Sequence, residues 1–136
     1  MISISKTLLA TVITFISSTA LANTLPSEIL NNLNLHSFHN SLRPRGAIDG
    51  DTVKKFGFDV QKDEQNKNYY SVTDKEQSWT YSVKVLKQHN DKYYVCFYDF
   101  ATPPATYRGI QEIIVIKDEK RNLYQVVKTL DTTKGC

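Results

Sequence analysis

Trp79-Thr80-Tyr81-Ser82-Val83-Lys84-Val85 alternates apolar and polar residues with a period of two. Lys92-Tyr93-Tyr94-Val95-Cys96-Phe97-Tyr98-Asp99-Phe100, a few residues on, is apolar or aromatic at almost every position. Successive side chains of a strand point to opposite faces, so the first run reads as a half-buried strand and the second as a central one. Two further runs, Ile110 to Ile116 and Leu123 to Leu130, are rich in Ile, Val and Tyr and read as strands. The breaks between runs are short: His89-Asn90-Asp91 closes the first hairpin and Asp118 to Asn122, a solvated tip, closes the last. Four strands joined in this way form one antiparallel sheet.

Working outward toward the N-terminus, Tyr69-Tyr70-Ser71-Val72 is a further strand. Before it, Phe56, Phe58 and Val60 alternate with Lys55, Gly57 and Asp59 from Thr52 on, which predicts a partner strand with a bulge at Gly57. The polar run from Lys62 to Asn68 connects the two. Thr24-Leu25-Pro26-Ser27-Glu28 has the composition of a helix start, with Pro in the first turn, Glu near the positive end of the dipole and Thr or Ser as cap. Ile29, Leu30 and Leu33 then share one face. Asn31, Asn32 and Asn34 are poor helix formers, so the helix is short and frays by Leu35 to Asn40. The expected fold class is α+β: a short N-terminal helix packed on a mainly antiparallel sheet of five or six strands. A small β-sandwich or partly open barrel is the alternative, because the Lys92 to Phe100 run is apolar on both sides.

Met1 to Ala22 carries Lys6, an apolar stretch from Thr7 to about Ala20 and the ending Ala20-Leu21-Ala22, which is the layout of a cleavable signal peptide. The expected organisation is therefore residues 1–22 as a signal peptide and 23–136 as a single exported globular domain, periplasmic or secreted, with no membrane span after cleavage. Lys6 is the one charged residue before Asn23, which leaves sixteen basic against fourteen acidic residues after it. That balance gives no basis for expecting nucleic acid as a partner. The chain has two cysteines, Cys96 and Cys136. An even count in an exported chain implies a disulfide between them, closing a loop of some forty residues, and the apolar neighbours Val95 and Phe97 argue against a reactive thiol.

The chemistry-bearing candidates are sparse. His36 and His39 precede Asp49 and Asp51, a weak cluster without a third ligand at a recognisable interval, and Asp49-Gly50 has turn composition. His89 beside Asp91 has no nucleophile near it. No catalytic residue, cofactor or metal site is assigned. The connection Ala101 to Gly109 differs from the other breaks. It is stiffened by Pro103 and Pro104, made mostly of small residues, and ends in Tyr107 and Arg108, residue types enriched at binding hot spots. The expected partner-binding residues are Thr102, Pro103, Pro104, Thr106, Tyr107 and Arg108.

The chain holds eight tyrosines, and neighbours such as Tyr69-Tyr70 and Tyr93-Tyr94 must point to opposite faces, so aromatic surface lies on both sides of the sheet. Together these features predict a non-enzymatic exported binding protein, an inhibitor or immunity-type protein that docks on another protein through the Pro-stiffened loop and exposed tyrosines. One alternative is a carrier of a small apolar ligand between helix and sheet, lined by Trp79, Tyr81 and Phe97. A second is a small hydrolase using His36 or His39 with Asp49 or Asp51.

Overall fold

The computed structural model describes residues 24–62 and 68–136. The signal-peptide expectation for residues 1–22 lies outside the described residues. The order is a helix α1 (Leu25–Asn31), then strands β1 (Val60–Gln61), β2 (Tyr69–Thr73), β3 (Trp79–His89), β4 (Lys92–Ala101), β5 (Arg108–Asp118) and β6 (Leu123–Leu130). The six strands form one antiparallel sheet in sequence order, open between β1 and β6. Among the described residues the fold is thus mostly sheet with one short α-helix, open like the partly open alternative, and the strands make no second sheet for a sandwich.

Chemistry and pairing agree along the long strands. Val83 and Phe97 are register partners, as are Val85 and Val95, and Val83, Phe97 and Val95 are fully buried. Across β4 and β5, Val95 faces Ile113 and Tyr93 faces Val115. These positions share one face with Tyr124 and Val126 of β6, and with them Ile29, Leu30, Leu33, Leu35, Phe38 and Val53 form a single cluster. The N-terminal segment therefore covers one face, here termed the inner face. Fully burying a side chain of this size contributes about 1.5–3 kcal/mol, so this cluster is the main source of stability.

The helix ends earlier than its apolar pattern suggests. Asn32 is its C-cap, and the backbone N–H groups of Asn34 and Tyr124 donate to the carbonyls of Tyr124 and Asn32, at 2.9 and 2.8 Å. Leu33 thereby forms a parallel bridge with Tyr124. Leu33 reaches the core from an extended backbone, and this segment covers the edge of β6, which protects its unpaired amides.

The strand expected from Thr52 to Val60 is mostly absent. Val53–Phe56 is a 3-10 turn, closed by Gly57 in the left-handed region at φ 84°. The alternation of Phe56, Phe58 and Val60 was a misleading signal: Val53 is the residue driven fully into the core, and Gly57 supplies a cap rather than a bulge. Only Val60 and Gln61 pair, with Thr73 and Val72. The turns at Asn90-Asp91 and after Asp118 stand where expected, with Asn90 and Asn122 at positive φ.

Candidate functional site

The connection expected to meet a partner, between β4 and β5, lies at one end of the sheet. Thr102 donates its hydroxyl to the Gln77 carbonyl and its backbone N–H to the Ser78 carbonyl, at 2.9 Å for the latter. Ala101 N–H donates to Tyr107 O at 3.0 Å, and Ala105 N–H to Thr102 O at 3.2 Å. The Pro103–Pro104 peptide is cis. The loop is therefore pinned at both ends, and the residues Thr102 to Tyr107 are exposed.

The two residues that end the loop go to opposite faces. Tyr107 turns to the inner side and stacks on Trp79, with ring centroids 5.5 Å apart, yet stays 46% exposed. Gly109 permits this: a Cβ there would come within 3.1 Å of both Leu42 Cδ2 and the Tyr107 hydroxyl. Behind Tyr107, Asp99 is buried and accepts a hydrogen bond from the Trp79 indole. Burial pushes its carboxyl above the usual range, and the indole N–H only partly offsets that. Arg108 turns to the outer face and lies over the Phe100 ring, 4.5 Å from its centroid.

On that outer face a pocket of about 250 Å3 opens beside the loop. Its floor is Ser71 and Ser82, register partners on β2 and β3, both buried and with hydroxyl oxygens 2.7 Å apart. Thr80 continues the floor, and Tyr69, Lys62 and Arg108 form the rim. Thr102 and Pro103 of the expected loop also line it, whereas Tyr107 does not. Nothing in the loop sequence pointed to the β2 and β3 side of this pocket. The available signal was the polar alternation of Tyr69, Ser71, Thr80 and Ser82, which places hydroxyl side chains together on the face away from the core.

The remainder of the outer face is aromatic and partly covered by the tail. Cys96 and Cys136 form the expected disulfide. It holds the tail over β4, where Tyr98 donates its hydroxyl to Cys136 O at 3.0 Å and Lys84 Nζ donates to Gly135 O at 3.1 Å. Such a bond fits a protein exported to an oxidising compartment. No helix among the described residues is long and apolar enough to cross a membrane.

The model of one protein family, described as pesticin immunity protein, matches residues 8–96, more than half of the chain. The chain belongs to the pesticin immunity protein family. The match takes in α1 and β1 to β3 and ends within β4 at Cys96, so this member of the pesticin immunity family carries Ser71, Thr80 and Ser82 inside the matched segment and the β4–β5 loop beyond it. No curated protein and no solved structure matches the chain at a significant level.

Of the His36, His39, Asp49 and Asp51 cluster, the two aspartates have structural partners. Asp49 accepts from Asn34 Nδ2 at 2.7 Å and pairs with Arg121 at 2.8 Å, and the Arg121 bond holds its carboxyl below the usual range. Asp51 accepts from the Ile48 backbone N–H at 3.0 Å. The tip at Asp118 to Asn122 is thus more than solvated surface, since Arg121 bridges Asp118 and Asp49. Among the described residues, no group of three or more His, Cys, Asp or Glu side chains gathers to hold a metal ion. Of the residues expected to line an apolar-ligand space, Phe97 packs on Phe38 with centroids 4.8 Å apart and Tyr81 on Phe58 at 4.5 Å, while a separate pocket of about 390 Å3 lies between the end of α1 and β2, lined by Asn31, Phe58, Tyr70 and Val72 among others.

Proposed function

We propose that this chain is an exported, non-catalytic immunity protein that binds and inhibits a pesticin-type toxin in the periplasm. The observation that carries the reading is the family match over residues 8–96. The Cys96–Cys136 bond supports export, since disulfides persist in oxidising compartments. In this reading residues 1–22 are removed on export and 23–136 act as one domain, with no cofactor. Docking runs through Thr102, Pro103, Pro104, Thr106, Tyr107 and Arg108 together with nearby tyrosines. A loop already pinned by Ser78 and Gln77 loses little conformational entropy when a partner settles on it.

The test is calorimetric titration of the oxidised 23–136 protein with purified pesticin, paired with a protection assay on toxin-sensitive cells. A stoichiometric complex and protection are expected, and absence of both would sink the reading. Changing Tyr107 and Arg108 together to Ala is expected to weaken the complex while leaving the fold intact. Full affinity in that variant would remove the loop from the interface.

A further inference from the structure

We infer that the outer-face pocket beside the β4–β5 loop is the socket for a carboxylate side chain, aspartate or glutamate, on the bound toxin. The inference rests on the immunity reading above and says which toxin chemistry the interface recognises. Its first support is the lining. Ser71 and Ser82 are hydrogen-bonded to each other at the floor, so the polar surface is ordered before anything enters, and Lys62 and Arg108 stand at the rim. Preorganised hydroxyls beside the Arg108 guanidinium suit a small anionic group.

Arg108 is the second support. Its guanidinium lies over Phe100, and no carboxylate among the described residues comes within ion-pair distance of it, unlike Arg121, which has two. A guanidinium held over a ring keeps its in-plane N–H groups able to take a carboxylate in bidentate fashion. Thr102 and Pro103, fixed by the loop anchors, wall the pocket beside it.

Charge distribution over the sheet is the third. The strand register places Lys84, Lys87 and Lys128 on the same outer face, in the rows of Cys96 and Tyr94, together with Glu112. The partnered carboxylates Glu28, Asp49 and Asp118 pair instead with Lys117 and Arg121, away from the pocket. These two rows are thus net basic although the chain as a whole is nearly balanced, and the aromatic residues Tyr69 and Phe100 flank the socket. A face of this kind is complementary to an acidic patch on a partner.

The experiment measures toxin affinity at low and high salt for the unaltered protein, Arg108→Glu, Lys62→Glu and, as a control for net charge alone, Lys54→Glu on the exposed 3-10 turn. Each variant is first shown to melt like the unaltered protein. Arg108→Glu is expected to bind roughly 30-fold more weakly or worse, with Lys62→Glu affected in the same direction and Lys54→Glu far less. The salt dependence of binding should shrink in the first two. A scan of toxin Asp and Glu positions changed to Arg should then yield one that restores affinity for Arg108→Glu. If the toxin binds the unaltered protein and the pocket variants lose no more than Lys54→Glu, the socket is overturned while the immunity reading stands. If the unaltered protein does not bind, both fall together.

Discussion

The Trp79 indole N–H donates to the Asp99 carboxylate on the neighbouring strand, and it is the one side-chain hydrogen bond that this buried acid accepts among the described residues. Asp99 sits where β4 would otherwise place an apolar inner-face residue, between Trp79, Tyr81 and the close approach at Gly109. Burial raises its folded pKa above the unfolded value, and the same charge helps hold the Tyr81 phenol above its ordinary range, behind burial as the larger cause. The protonated acid is therefore the form that the fold prefers. Its contribution is fully present below the unfolded value, about pH 4, and is lost as pH rises through the folded one. Asp99→Asn keeps an acceptor for the indole without the charge. Denaturant melts from pH 4 to 7 should show the unaltered protein losing stability relative to Asp99→Asn as pH rises; parallel profiles would disprove the linkage.

Glu28 has the opposite sign. Its carboxylate accepts from Lys117 Nζ at 2.9 Å and from the Tyr124 hydroxyl at 3.0 Å, tying α1 to β5 and β6. The Lys117 bond is the main cause that lowers its pKa. Its contribution is present above the unfolded value, about pH 4.3, and is lost as pH falls through the folded one. Both groups are part-exposed, so Glu28→Gln should cost under about 1 kcal/mol at neutral pH. That difference should shrink in high salt and at acid pH, and a double-mutant cycle with Lys117→Met measures it.

The disulfide joins residues 40 apart and fastens the tail to a central strand. In the chain-entropy account, closing a loop of that length stabilises by about 3–4 kcal/mol. Changing both Cys96 and Cys136 to Ala should lower the denaturation free energy by that order and release the Tyr98 and Lys84 contacts to the tail. Reductant should shift the melting temperature of the unaltered protein but not that of the double variant.

The buried Asn34 side chain makes four hydrogen bonds among the described residues. Its amide donates to Asp49 and to Gln125, at 2.7 and 2.9 Å, and its carbonyl accepts from the His36 and Gly50 backbones, at 3.3 and 3.0 Å. Asn34→Ala strands several of these partners and should cost about 2–3 kcal/mol. Hydrogen exchange at the Gly50 amide should quicken in that variant. Unchanged exchange and stability would remove Asn34 from the framework.

Asn34 also shows where sequence reading stopped short. Taken for local propensity it was a weak helix residue, and its role lies in partners 15 and 91 positions away. Phe56, Phe58 and Val60 misled in the other direction, since period-two spacing over so short a stretch is also met by a turn closed by glycine. The β4–β5 loop was legible because prolines and an aromatic-cation ending are local features. Its other wall, Ser71 and Ser82, was not, because serines in strands carry no signal until pairing brings them face to face.

By itself the sequence determined the four long strands, their tight turns, the antiparallel order and the identity of the disulfide, because periodicity, turn residues and a count of two cysteines are properties of neighbouring positions. It also determined that aromatic rings lie on both faces, since adjacent residues of a strand diverge. Tertiary structure alone decided which face the N-terminal segment buries, that Arg121 reaches Asp49, and that Lys62, Ser82 and Arg108 meet around one pocket. Alternation separates two faces without saying which one will be covered. That choice depends on contacts between distant segments, whose loop-closure cost is met only by the packing of the whole sheet.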